Sequence, residues 1–277
     1  MDNRNTGILN FLDRRWRNFA TALSFALFGL GGLSLAFAII PVVAIISRVQ
    51  SPDARRNTAQ RCISLSFRIY IRIMQGLRAI DIRIDNAERL REDEGKPLLV
   101  LANHPSLLDY VFVTSLMSRC DCIVKKDLAQ KNPFTRAIIR SAGYIANNDA
   151  GEFFEKCSER LAQGRRILIF PEGTRSTPGQ PMVLQRGAAQ IAIRCRVPVR
   201  IIHITCEPTF LTRHQKWWYA PPRRPLFHIT VREKIDITPF LENTGDKPWG
   251  AVRRLNAQLQ IALDPRNSPD TTKAINT

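Results

Sequence analysis

From residue 97 onward this sequence reads as an α/β domain, a mostly parallel sheet flanked by helices, preceded by an N-terminal helical segment attached to a membrane. Three observations carry that reading. Short apolar runs alternate with helix-like stretches, the pattern of βαβ units and a parallel sheet. Residues 18–47 hold no charge. Two dense polar blocks each follow directly on an apolar run, and strand ends leading into short turns are where α/β proteins place their chemistry. The expected organisation is a membrane segment with an amphipathic helix over 1–78, the α/β domain over 79–263, and a polar, flexible tail over 264–277.

The uncharged run is rich in Leu, Ala, Phe and Ile. About 20 such residues, rising ~1.5 Å each, cross the hydrocarbon core of a bilayer, so this run has length to spare. It is also about twice as long as the apolar part of a secretory signal. Arg14, Arg15 and Arg17 precede it; Arg48, Arg55 and Arg56 follow it. Positive charge on both flanks leaves orientation open. A single span fits, and so does a hairpin bending at Gly29, Gly31, Gly32 or Pro41.

Residues 57–77 carry two periodicities. Ile63, Leu65, Phe67, Ile69, Ile71 and Ile73 alternate as in a strand, whereas Arg61, Arg68 and Arg72 recur at helical spacing and Gln75-Gly76 suits a helix end. Position beside the membrane segment selects a basic amphipathic helix lying at the interface. Strands are then expected near 79–84, 98–102, 121–125, 143–146, 167–170, 197–204 and 226–231, and helices near 106–118, 127–140, 151–163, 185–195 and 249–263.

Lys and Arg number 41 against 24 Asp and Glu, a formal charge of +17. That charge attracts anionic surfaces, nucleic acid or membrane alike. No nucleic-acid reader motif accompanies it, so nucleic acid is not an expected partner. The six cysteines form no C-x-x-C pair and the histidines are scattered, which argues against a zinc site and for a reduced, cytosol-facing location. Trp217, Trp218 and Tyr219 amid Arg213, Lys216, Arg223 and Arg224 suit the depth of lipid headgroups.

The first polar block is Asn103-His104-Pro105-Ser106-Leu107-Leu108-Asp109, after Leu98-Leu99-Val100-Leu101. His104 has the intrinsic pKa of a general base near neutrality. Asp109 could accept its other ring N–H, fixing the tautomer and stabilising the imidazolium. Five residues on an ideal helix stand roughly 140° apart in azimuth, so the pair cannot share a helical face. Pro105 at the first helical position would leave His104 outside the helix and free to fold back. The second block, Phe170-Pro171-Glu172-Gly173-Thr174-Arg175-Ser176, follows Ile167-Leu168-Ile169. Arg175 can hold a phosphate by bidentate hydrogen bonds, Glu172 can orient a hydroxyl, and Gly173 permits close backbone approach.

Both blocks, in this order and spacing, resemble the signature motifs of the glycerolipid acyltransferase family, whose best-known members are the 1-acyl-glycerol-3-phosphate acyltransferases. Val124-Lys125-Lys126-Asp127-Leu128 is similar to the family's lysine-rich segment, and Val197-Pro198-Val199 to its late strand. The resemblance covers roughly residues 80–210. It implies that His104 is the general base and Asp109 its partner. Asn103, Ser106, Glu172, Gly173, Thr174, Arg175, Lys125 and Lys126 would bind substrate. The donor would be a fatty acyl thioester of coenzyme A or acyl carrier protein, a co-substrate with no further cofactor or metal. Location at a membrane, with the domain on the cytoplasmic face of a bacterial inner membrane, is implied as well. One segment departs from the pattern. Where phosphate-accepting members carry an arginine, this chain has Gly143-Tyr144-Ile145-Ala146-Asn147-Asn148-Asp149. That segment, with 217–225, resembles acyltransferases encoded with aryl-polyene synthases, so a non-phosphate acceptor stands beside the lysophospholipid one. A membrane scaffold without turnover is the non-enzymatic alternative.

Overall fold

The computed structural model describes residues 3–127, 133–147, 150–242 and 248–267. A helix α1 (Asn3–Ser34) continues through a π-helical segment (Leu35–Ile39) into α2 (Ile40–Ile46) and a 3₁₀ turn (Ser47–Val49). The π segment has a local cause. Pro41 has no N–H to donate and its ring crowds the carbonyl four residues back, and here the Ile40 N–H bonds to Leu35 O, one residue wider than α spacing.

The helix continues through Gly29, Gly31, Gly32 and Pro41, so of the two arrangements the sequence leaves open, a single span and a hairpin, the hairpin inside the apolar run is not the one formed. The chain reverses only after that run, at residues 50–51. There Ser51 caps α3 (Pro52–Gly76), accepting the Ala54 N–H, with Pro52 in the first turn. Leu12–Val49 is one helix of 38 residues, long and apolar enough to cross a membrane.

The α3 helix confirms helical over strand-like periodicity for 57–77. It buries Ala59, Ile63, Tyr70 and Met74, a helical stripe, against α5 (Asp109–Leu116) and α6 (Pro133–Ala142), and it packs on α1 and α2 as well. Gln60, on the same stripe, joins a polar network. Arg165 donates from Nε to Asp121 Oδ2 at 2.7 Å and from Nη2 to Oδ1 at 2.9 Å. Gln60 Nε2 reaches Asp121 Oδ1 at 2.7 Å and Ala142 O at 2.8 Å, while its Oε1 accepts the Cys120 N–H. Asp121 is fully buried, so only such saturation makes its charge tolerable. The network ties α3 to the sheet.

Seven strands follow the order β1-β7-β6-β2-β5-β3-β4. They are β1 (Asp81–Asp85), β2 (Leu98–Ala102), β3 (Asp121–Lys125), β4 (Ile145–Asn147), β5 (Arg166–Ile169), β6 (Val199–Glu207) and β7 (Leu226–Ile235). All pairs are parallel except β6 with β7. Both faces are covered, as a parallel sheet requires. Leu98, Val100 and Ala102 face the α3 and α5 layer. Leu99 and Leu101 face α7 (Ala150–Ala162), α8 (Gly187–Cys195) and α10 (Pro248–Leu263). A short α4 (Glu88–Glu92) precedes β2, and a short α9 (Thr238–Glu242) follows β7. The C-terminal ends of β2, β5 and β6 lie side by side, which puts residues 103–109, 170–176 and 208–213 on one edge.

Helix α5 begins later than the sequence reading placed it, at Asp109 rather than 106. Residues 105–108 form a turn closed by Asp109 itself, so Pro105 lies outside the helix. Asn148, Asp149, Leu128 and the tail from 268 lie outside the described residues.

Arg165→Ala would leave Asp121 buried without its charge partner. A loss of about 3–5 kcal/mol in unfolding free energy is expected, measured by denaturant titration in detergent, with Asp121→Asn/Arg165→Ala recovering part of it.

Candidate active site

The site begins with the turn that leads into α5, Ser106-Leu107-Leu108-Asp109, which side-chain hydrogen bonds close. Asp109 Oδ2 accepts the Ser106 N–H at 2.7 Å, and Ser106 Oγ accepts the Leu108 N–H at 3.4 Å. The same Oδ2 meets His104 Nδ1 at 2.8 Å. One carboxylate oxygen therefore closes the turn ahead of α5 and fixes the imidazole. Nδ1 carries the proton in this pairing, since an ionised carboxylate only accepts. Nε2 is left as the nitrogen for the cavity that His104 lines. Phe170 packs on the ring at 4.5 Å between centroids.

Asp109 is fully buried while His104 keeps a fifth of its side chain exposed. Burial pushes the Asp109 carboxyl up to about 6; the hydrogen bond and charge of His104 and the Ser106 N–H pull the other way, and Glu172 adds a small push upward.

The second block is bound to the first. Glu172 Oε1 accepts the His104 backbone N–H at 2.8 Å and the Ser176 hydroxyl at 3.0 Å, and the Ser176 N–H reaches His104 O at 2.7 Å. Glu172 thus clamps the two loops together and does not line the cavity, contrary to the expectation that it orients a hydroxyl. Gly173 turns the chain at φ +69°, a conformation that costs little only without a Cβ. Arg175 Nη1 donates to Leu211 O at 3.0 Å and Thr212 O at 3.1 Å. Leu211 holds φ +56°, strained for a leucine, and its carbonyl accepts the Leu107 N–H as well. The loop after β6 is thereby fastened to both blocks.

Two more expected substrate contacts belong to the frame. Asn103 is buried, and its amide exchanges hydrogen bonds of 2.7 Å each with the Ile204 N–H and carbonyl, extending the β2/β6 ladder with a side chain. Ser106 is buried in the turn ahead of α5. Gly173, Thr174, Arg175 and Lys125 line the cavity with His104; Lys126 is exposed beyond it.

That cavity measures about 1650 Å³ and runs between the strand ends and the α1, α3 and α6 helices. Its wall is mostly apolar, with Lys125, Arg175, Arg186 and Arg213 as cations and no carboxylate among the described residues. Sequence reasoning did not assign Arg186 or Arg213 to the site. Arg186 sits in Gln185-Arg186-Gly187, a segment read as packing, and Arg213 was grouped with the aromatic patch. Only the Leu211 and Thr212 carbonyl contacts reveal that the 208–213 loop reaches the site.

Residues 81–205 match the family model described as Acyltransferase. The chain is 26% identical over 255 residues to the 1-acyl-sn-glycerol-3-phosphate acyltransferase alpha of Homo sapiens, covering 87% of this chain and 82% of that protein. It is 32% identical over 115 residues to the 1-acyl-sn-glycerol-3-phosphate acyltransferase of Helicobacter pylori, covering 39% of this chain and 48% of that one. The crystal structure of the 1-acyl-sn-glycerophosphate (LPA) acyltransferase PlsC from Thermotoga maritima aligns at a TM-score of 0.67 and 20% identity, over 92% of this chain and 99% of that one. This last likeness shows a common fold.

A carboxyl titrating near 6 when folded and near 3.8 when unfolded makes stability depend on pH. Below about pH 4 both states hold the proton and nothing is lost. As pH rises towards 6 the unfolded chain releases its proton first, so folding weakens; above 6 the loss is complete, roughly 3 kcal/mol. The stability of Asp109→Asn relative to wild type is therefore expected to shift in the variant's favour by that order between pH 4 and 7, read from melts across pH.

Proposed function

We propose that this chain, an enzyme of the acyltransferase family through its 81–205 domain, transfers a fatty acyl group from an acyl thioester to the hydroxyl of a lysophospholipid or glycerol phosphate. The observation that carries the reading is His104, oriented by buried Asp109, opening on a large apolar cavity whose charged groups among the described residues are cationic. An apolar cavity suits acyl chains, and cations suit a phosphate.

The reaction needs no covalent enzyme intermediate. His104 Nε2 takes the acceptor's hydroxyl proton as that oxygen attacks the thioester carbonyl carbon. The imidazolium is stabilised by ionised Asp109. The tetrahedral intermediate then expels the thiolate, the C–S bond breaks, and the proton passes from the imidazolium to sulfur. Lys125, Arg175, Arg186 and Arg213 hold the phosphate of the acceptor and, in turn, the anionic donor. The donor is a thioester of coenzyme A or of a carrier protein.

The enzyme works at a membrane, and α1 with α2 attaches it. Leu30, Phe37, Ile46 and Val49 are more than 60% exposed on that helix, a surface suited to lipid and not to water. Trp217 and Trp218 continue the surface, Trp217 packing edge-on against Phe25 at 5.6 Å. A chain of +17 favours an anionic cytoplasmic leaflet, and the described free cysteines suit that reduced compartment.

A second reading keeps the chemistry and changes the acceptor. β4 ends at neutral Asn147 in the cavity wall, where the resemblance led one to look for an arginine. Lipid profiles of cells with and without the gene separate the two: phosphatidic-acid-derived species change in the first, a non-phosphate lipid in the second.

Two variants test the mechanism in vesicles with lysophosphatidic acid as acceptor. His104→Ala is expected to lower acyl transfer by about 10³-fold or more in a protein that still folds, as a cooperative melt shows; near-normal turnover would exclude the base. Arg213→Gln is expected to raise acceptor KM about tenfold with a smaller change in kcat, the signature of lost ground-state binding.

A further inference from the structure

The connection between β6 and β7, residues 208–225, holds no helix or strand, yet it is pinned at both ends. At one end Arg175 and Leu107 hold the Leu211 and Thr212 carbonyls beside the active site. At the other the loop lies against α1. Trp217 packs on Phe25, and the Ala220 N–H reaches Asn18 Oδ1 at 2.9 Å. Buried Arg17 donates from Nη2 to Pro221 O at 3.3 Å and to Pro222 O at 2.5 Å. The middle of the loop, Lys216-Trp217-Trp218-Tyr219, is therefore held in place on the surface.

That stretch presents three consecutive large rings to the outside. Trp217, Trp218 and Tyr219 are between 42% and 49% exposed, and the two tryptophans meet edge-on at 5.2 Å between centroids. Cations lie on the ring faces. Lys216 Nζ stands over Trp218 and the Arg14 guanidinium over Tyr219, each 5.6 Å from the centroid. Both cations are themselves exposed. Asp13 and Asp81 pair with Arg17 and Arg224, so their charge is met within the protein. Water alone is a poor neighbour for such a patch. A bilayer surface suits it, with indoles among glycerol and upper acyl chains and cations against phosphates. The patch is also continuous with the apolar face of α1 through Trp16 and Phe19, which stack at 5.7 Å and are exposed.

We infer that this loop and the start of α1 form a binding site for anionic phospholipid headgroups. Arg14 and Lys216 are the cations that meet the headgroup, and Trp217 and Trp218 are the rings that sink beneath it. The inference rests on the membrane attachment proposed above and adds to it a selection among lipids. Arg213, on the same loop, lines the cavity, so the site adjoins the cations proposed to hold the acceptor's phosphate.

The test uses the full chain carrying Trp16→Phe and Trp249→Phe, which leaves Trp217 and Trp218 as the only tryptophans. It is reconstituted in vesicles of phosphatidylcholine and phosphatidylglycerol, with one lipid or the other brominated on its acyl chains to quench nearby indoles. Phosphatidylglycerol is expected to reach the rings with about a fivefold or greater advantage over phosphatidylcholine. Arg14→Gln/Lys216→Gln should bring that advantage close to one. Arg91→Gln/Lys96→Gln removes the same charge ahead of β2, at the opposite ends of the strands, and should leave the advantage intact. Equal quenching by the two lipids, quenching by neither (as beneath an acidic protein partner), or an equal loss in both double variants overturns the inference, while flotation with the vesicles keeps the attachment standing. A chain that does not float with the vesicles overturns the attachment and the inference with it.

Discussion

One buried oxygen, Asp109 Oδ2, holds the site in place. It accepts the Ser106 N–H in the turn ahead of α5 and the ring N–H of His104 at nearly equal distances. Because that turn fixes the carboxylate at the first residue of a core helix, the imidazole is held against a rigid acceptor. Burial of the carboxylate strengthens both bonds, since a low-dielectric surrounding removes competing water. Burial also carries a cost, seen in the raised pKa of Asp109. The site is thus positioned by a group whose ionisation weakens folding, a common trade at functional centres.

Around that oxygen the loops are cross-tied by main-chain hydrogen bonds. Glu172 reaches the backbone of His104, Ser176 closes back on His104 O, and Leu211 O serves both Leu107 and Arg175. Three strand ends, β2, β5 and β6, supply one rigid rim. Polar groups that a motif reading assigns to substrate are spent on this frame. Among the described residues the cavity is lined by His104, a set of cations, a few neutral polar side chains such as Asn147, Thr174 and Gln185, and a long apolar wall. The N-terminal helices complete that wall, so a segment that exposes much apolar surface also shapes the cavity.

The strands, the α3 helix and the His104/Asp109 meeting were legible because each depends on local signals: short apolar runs, an arginine repeat beside the membrane segment, and a proline directly after His104 that keeps it out of the helix, although the helix begins four residues later than that proline suggested. The course of the apolar run was not. Glycines permit a bend without compelling one, and Pro41 is absorbed by a π turn, a register change that composition does not encode. The contacts that Asn103, Ser106 and Glu172 make within the protein were not legible for another reason. A polar side chain beside a catalytic residue looks alike in sequence whether it faces substrate or backbone, and only the carbonyl of Ile204 or the N–H of His104 decides. Arg186 and Arg213 come from separated segments, which no spacing rule joins.

The central claim is that Asp109 holds the proton on Nδ1 of His104 and so presents a bare Nε2 to the cavity. Nitrogen-15 NMR of the labelled imidazole, taken above its titration in wild type and in Asp109→Asn, reads that tautomer directly. A wild-type ring protonated at Nδ1, with the balance moved towards Nε2 in the variant, is the expected result. A wild-type ring protonated mainly at Nε2 would contradict the account.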